Sequence, residues 1–99
     1  MNDTQERELL DLKRLGRVLR GYRNMAGLTG EELERLLVRE LNVSVSSRSI
    51  YEYERGGRTP TIETFIALSI ALSIPPAMVS ECILDEGQRS RYDRLRTRS

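Results

Sequence analysis

An all-α domain of five helices is what this sequence predicts, on three observations. Apolar residues recur at helical spacing in successive windows along the chain. Those windows are bracketed by capping threonine or serine, by glycine and by proline. Between them lies no alternating run long enough to make a strand.

The first helix is expected from about residue 4 to residue 26, with Leu9, Leu12, Leu15, Leu19 and Tyr22 on one face and Val18 and Met25 alongside. Gly27 stops it, and Leu28 supplies the apolar contact that follows a glycine C-cap. Thr29-Gly30-Glu31-Glu32 is a capping box that opens the second helix, whose inward residues are Leu33, Leu36, Leu37 and Leu41. Asn42 to Val45 is the turn. Ser46 then caps a third helix with Ile50 and Tyr53 facing the core, and Gly56-Gly57 ends it. Thr61 caps a fourth helix that runs to about Leu72 and buries Ile62, Phe65, Ile66, Leu68 and Leu72. Ile74, pushed out of helical geometry by Pro75, closes that element. Pro76 suits the first turn of a fifth helix ending near Leu84. From Asp85 the chain turns polar. The organisation read from this is an N-terminal extension of the first helix (1–14), a globular unit (15–84) and a basic tail (85–99).

At 99 residues the chain has room for one modest core, and 38% apolar residues with scattered charge suit a folded, soluble protein. The run from Phe65 to Met78 is too short and too broken by Ser69, Ser73, Pro75 and Pro76 to span a bilayer. The N-terminus lacks a basic-then-apolar signal, so a cytoplasmic protein is expected. Cys82 is the single cysteine and histidine is absent. That composition provides neither an internal disulfide nor a zinc site, and no histidine acid–base pair. No metal, cofactor or catalytic residue is expected.

Net charge is only +1, but it is unevenly placed. Residues 61–88 carry four acidic groups and no basic one, whereas residues 89–99 carry five arginines and one acid. Fifteen of the sixteen basic residues are arginine, whose planar fork suits phosphate oxygens and guanine edges. A high-GC coding bias would produce the same preference. The segment Ser46 to Pro60 is the most informative in the chain. It combines a short capped helix, a polar outer face, a Gly-Gly stop and a basic turn. Such a helix is held by apolar neighbours while its outer face meets a partner, here taken to be the major groove of DNA.

From Leu15 to about Leu84 the order of parts resembles the XRE-like, Cro and phage-repressor type of helix-turn-helix. The residues that carry the likeness are Leu19-Arg20-x-x-Arg23, Gly27-Leu28-Thr29, Glu32-Leu33, and Ile50 with Tyr53-Glu54-Arg55-Gly56. Arg58-Thr59-Pro60 and the helix from Ile62 and Phe65 to Leu72-Ser73-Ile74 complete it. The resemblance implies a lambda-repressor-like fold and a bacterial or phage-encoded, nucleoid-associated regulator. It further implies that Ser47, Arg48 and Glu52 lie at base edges. Thr29 and Gly30 at the start of the second helix would hold one phosphate. The N–H groups near Arg55 and Gly56, with the Arg58 side chain, would hold another. Arg23 and Glu54 would form an ion pair tying the first helix to the end of the third.

Two departures stand out. The family usually has a glutamine where Gly30 stands, and several extra residues separate Leu33 from Ile50. Glu34 replaces a small residue, so the packing of the second and third helices, and the start of the third, are open.

Arg48 either reads a base or pairs with Glu52 on the helix surface, which would contribute only about 0.3–0.5 kcal/mol. An arginine–guanine fork supplies about 1–3 kcal/mol of discrimination. Glu52 would accept from a cytosine amine or orient Arg48. Tyr53 belongs to the core, while Tyr51 could touch a phosphate or a thymine methyl. The tail, with Tyr92 and Leu95, is a solvated terminus, a short helix or a phosphate-tracking arm. Leu9 and Leu10 would pack on that tail or on a second subunit.

The function expected is a double-stranded DNA-binding transcriptional regulator, acting as a repressor and as a homodimer on an inverted repeat. The alternative is an antitoxin or a protein-interaction adaptor that keeps the fold. No acid pair in an apolar setting, no glycine-rich phosphate loop and no base to activate a serine point to an enzyme.

Overall fold

The computed structural model describes residues 9–82 and 86–96. Among them are five α-helices and one 3-10 helix, and no helix long and apolar enough to cross a membrane. The α-helices are α1 (Leu12–Met25), α2 (Gly30–Leu41), α3 (Ser47–Glu54), α4 (Ile62–Leu72) and α5 (Glu86–Arg96), with the 3-10 helix Pro76–Cys82 between the last two.

Helix α1 starts at Leu12, not near residue 4. Asp11 is its N-cap and accepts from the Arg14 N–H at 3.1 Å, while its own N–H donates to the Cys82 carbonyl at 2.7 Å. A backbone amide committed to a distant carbonyl cannot serve a helix running through it. Residues 1–8 of the expected extension lie outside the described residues. At its other end α1 stops as the sequence indicates: Gly27 adopts φ +72°, with the Leu28 N–H on the Arg23 carbonyl.

The α2 capping box is complete, with the Thr29 hydroxyl and the Glu32 carboxylate each accepting the other's backbone N–H. α2 ends at Asn42 and α4 at Ser73, both in the left-handed region at φ 56°. Threonine and serine hydroxyls cap α4 and α3, through Thr61 and Ser46 respectively.

The core is drawn from all four of these helices. Leu15 and Leu19 of α1, Leu33 and Leu37 of α2, Ile50 and Tyr53 of α3, and Ala67, Leu68 and Leu72 of α4 are buried together. Val45 of the turn joins them, as do Ile74 and Cys82. In α4, Leu68 and Leu72 are buried as expected, but the rest of the inward face differs. Its inward residues are Ala67, Leu68 and Leu72, so Ile62, Ile66 and Ile70 lie 75%, 51% and 60% exposed, and Phe65 is only partly covered. Among the residues expected inward on α1, Leu9 precedes the helix and is exposed, and Met25 is exposed at its end.

The expected fifth helix is a 3-10 turn rather than an α-helix. The Met78 N–H donates to the Pro75 carbonyl at 2.9 Å, the short reach of 3-10 geometry, and the segment stops at Cys82. Leu84, its expected end, lies outside the described residues. The basic tail contributes α5, which makes its main contacts with the 3-10 helix.

Candidate nucleic-acid interface

α3 owes its position to contacts at both ends. At the C-terminal end, the Glu54 carboxylate accepts from Arg23 Nε at 2.6 Å and from Arg23 Nη2 at 2.8 Å, a two-pronged pair. The side chains are 11% and 6% exposed, and Arg23 Nη1 also donates to the Leu28 carbonyl at 2.8 Å. The hydrogen bonds that Arg23 donates to Glu54 outweigh burial and hold its guanidinium above the ordinary pKa, so the charge is fixed. The α1 backbone comes this close because residue 16 is glycine. A Cβ there would lie 2.2 Å from the Glu54 carbonyl oxygen. Gly56, at φ +78°, then turns the chain out of α3.

At the N-terminal end, the Ser46 hydroxyl accepts from the Ser49 N–H at 3.1 Å, and the Ser47 N–H donates to Glu34 Oε1 of α2 at 2.8 Å. Ser47 is therefore the first helical residue, which sets the register left open by the lengthened turn.

With Ile50 and Tyr53 buried, Arg48 is exposed and Ser47 and Glu52 are partly exposed. Arg48 makes no ion pair with Glu52. That carboxylate faces Arg58 at 3.4 Å and Arg55 at 3.9 Å instead. Arg58 also donates to the Ser49 hydroxyl at 3.1 Å and lies over the Tyr53 ring at 5.6 Å. Arg55 and Arg58, both exposed, thus gather beside the outer face of α3 with Glu52 between them.

Tyr51 has a different setting from its neighbours. Its hydroxyl accepts from the Gly30 N–H at 2.8 Å and donates to Glu31 Oε1 at 3.2 Å, and Arg23 stacks on its ring at 5.3 Å. A Cβ at Gly30 would come within 2.5 Å of that ring. The absence of a side chain at position 30 is matched by the tyrosine that fills the space.

Tyr51 and Glu32 also take up the start of α2. The Thr29 N–H donates to Glu32 and the Gly30 N–H to Tyr51, so neither amide is open. The hydrogen bond from the Thr29 backbone lowers the Glu32 pKa and keeps this carboxylate charged. The Arg55 and Gly56 amides are likewise donated, to the carbonyls of Tyr51 and Tyr53. The exposed cationic side chains on and beside α3 are Arg48, Arg55 and Arg58, the last two sharing Glu52.

A short helix is thus pinned at both ends, crossed by α2 and edged by arginines, and a family model described as helix-turn-helix matches residues 19–79, more than half the chain. The chain belongs to the helix-turn-helix family. It is of the XRE type, a DNA-binding regulatory family that typically lacks catalytic activity. No curated protein and no solved structure matches the chain.

In this helix-turn-helix protein α2 and α3 are the two helices of the motif, joined by the turn from Asn42 to Ser46. The Glu34–Ser47 contact, the close approach at Gly16 and the Tyr51–Gly30 contact are the features that sequence reasoning missed. Each is a meeting of two helices, and the local signals were a glycine inside a helical pattern at position 16 and the departures at Gly30 and Glu34.

Proposed function

We propose that this regulator is a sequence-specific repressor whose α3 reads the major groove of double-stranded DNA. Arg48 carries the reading: it is exposed on the first turn of α3 and has no ion pair among the described residues. An unpaired guanidinium there is available to fork onto a guanine, and Ser47 and Glu52 flank it on the same face. Arg55 and Arg58 are the phosphate-gripping side chains in this proposal, with Glu52 holding them ready. A phosphate at the start of α2 would have to displace Glu32 from Thr29 and Tyr51 from Gly30. Tyr51 is accordingly assigned to bracing α3, with base contact left to Ser47, Arg48 and Glu52.

A single two-helix reader covers few base pairs, and a homodimer on an inverted repeat doubles them. The surface proposed for that dimer is the Ile62–Ile66–Ile70 ridge of α4. An apolar groove of about 330 Å³ borders it beside Ile62 and Phe65, and a second of about 340 Å³ lies beside Ile66 and Ile70. Ridge and grooves on one patch satisfy the self-complementarity that a two-fold contact needs. Residues 61–88 hold no basic side chain, so this face suits a protein copy and repels a polyanion. The site of action proposed is the cytoplasmic nucleoid.

Selection from random duplex DNA tests the reading. A two-fold symmetric motif is expected, together with affinity that falls linearly on a log–log salt plot. Failure to enrich any motif would favour the adaptor alternative.

A further inference from the structure

At eight residues, α3 is too short to hold a place of its own in water. Whatever fixes its two ends therefore fixes where its outer face points. Arg23–Glu54 and the close approach at Gly16 fix the C-terminal end. The Ser46 hydroxyl caps the other end, but a cap from the adjoining residue travels with the helix and cannot tether it. The tether is Glu34, whose carboxylate reaches across from α2 to the Ser47 N–H at 2.8 Å. No acidic residue lies in the first turn of α3, so Glu34 is also the charge that meets the positive end of its dipole. The other acids of α2 bond elsewhere: Glu31 to Tyr51, Glu32 to Thr29 and Glu40 to Arg39.

We propose that Glu34 is a positioning residue for base reading, tying the start of α3 to α2 and so fixing Ser47 and Arg48 against the groove. The proposal rests on the base-reading role of α3 given above. Its consequence is specific to sequence discrimination. The tether bonds Ser47, the neighbour of Arg48, whereas Arg55 lies roughly 10 Å further along the helix axis, at 1.5 Å per residue. Without Glu34 the helix would keep Arg23–Glu54 at its end and Tyr51–Gly30 in its second half. Its first turn would loosen, moving Ser47 and Arg48 most and Arg55 and Arg58 least. A forked base contact requires placement within about 0.5 Å, while a phosphate contact tolerates more.

The test compares the wild-type chain with Glu34→Ala and Glu34→Gln, the latter keeping the length and an acceptor oxygen. Amide hydrogen exchange is read at Ser47 against Ser49, whose acceptor is local. Random duplex selection and non-specific affinity are read alongside. In Glu34→Ala the Ser47 amide should exchange severalfold faster while Ser49 does not. Discrimination at the base that Arg48 reads should fall about 5- to 150-fold, the range of one bidentate contact. Affinity for non-specific duplex should stay within about twofold of wild type, the phosphate term being separate. Glu34→Gln should restore both the slow exchange and the motif. Should Glu34→Ala fold poorly, Glu34→Asp carries the test against Glu34→Gln, since it keeps the charge and shortens the reach by one methylene.

An unchanged Ser47 exchange rate, an intact motif in Glu34→Ala, or a Glu34→Gln variant as impaired as Glu34→Ala would each overturn the proposal. A wild-type chain that selects no motif overturns base reading itself. That result is distinct from a wild-type motif that survives the loss of Glu34.

Discussion

Breaking the Arg23–Glu54 pair is the perturbation whose outcome the structure constrains best. Arg23→Met keeps an apolar stem of similar reach but leaves the Glu54 carboxylate, 6% exposed, without its two donors. Removing one partner of a buried pair costs about 3–5 kcal/mol, because the other charge stays buried and uncompensated. The Leu28 carbonyl also loses its donor, which reinforces the upper part of that range. A domain of this size has about 5–15 kcal/mol in all, so the variant would lose a large share of its stability. At roughly 4–8 °C per kcal/mol, the melting temperature should fall by at least about 12 °C.

The decisive comparison is a double-mutant cycle with Glu54→Leu, followed by urea and thermal unfolding. Replacing both partners by apolar side chains removes the stranded charge, so the double variant should recover most of the loss. It should still fall short by about 1–3 kcal/mol for the unpaired Leu28 carbonyl. A loss below about 1 kcal/mol in Arg23→Met would place the pair among surface ion pairs and refute the reasoning. Strict additivity in the double variant would refute it equally.

Three further predictions follow from the same geometry. Arg48→Ala should cost about 1–3 kcal/mol on the preferred sequence and relax one or two base positions, whereas Arg58→Ala should weaken all sequences alike and reduce the salt slope by about one. Binding titrations on matched and mismatched duplexes at several salt concentrations separate the two. Gly16→Ala sets a gain of up to about 1 kcal/mol in helix propensity against a Cβ 2.2 Å from the Glu54 carbonyl oxygen. Backbone must shift to admit it, so a net loss of about 1–3 kcal/mol is expected, and a raised melting temperature would contradict the close approach. Glu32 has a lowered pKa in the folded protein, chiefly through the Thr29 backbone hydrogen bond. Its contribution to stability is therefore present above the unfolded-state pKa and lost as pH falls through the lower, folded value. Glu32→Gln should flatten that acid limb of the stability curve, and parallel pH profiles of the two proteins would count against the capping box.

The identity of the first four helices and most of their ends were legible in the sequence because their causes lie within a few residues. The Thr29–Glu32 box, the left-handed Gly27 with Leu28 behind it, and the cap at Thr61 are contacts between near neighbours. The Tyr-Glu-Arg-Gly stretch and its flanking spacing were likewise enough to point to the family that matches residues 19–79. Where a helix end depends on a remote partner, the reading failed. Asp11 starts α1 late because its amide bonds the carbonyl of Cys82, and the apolar periodicity upstream gave no warning of it.

Composition and periodicity by themselves determined an all-helical chain with a short, polar-faced third helix and no means for histidine or zinc chemistry. They could not determine the whole inward face of α4, since apolar residues occur all round that helix and only packing decides that Ala67 joins Leu68 and Leu72 while Ile62 and Ile66 face out. Nor could they show that Glu34 meets Ser47, that Tyr51 fills the space above Gly30, or that Glu52 faces Arg55 and Arg58 rather than Arg48. The physical reason is range. Capping and amphipathicity act along one stretch of backbone, whereas those contacts exist only once separate helices are brought within bonding distance by a shared core.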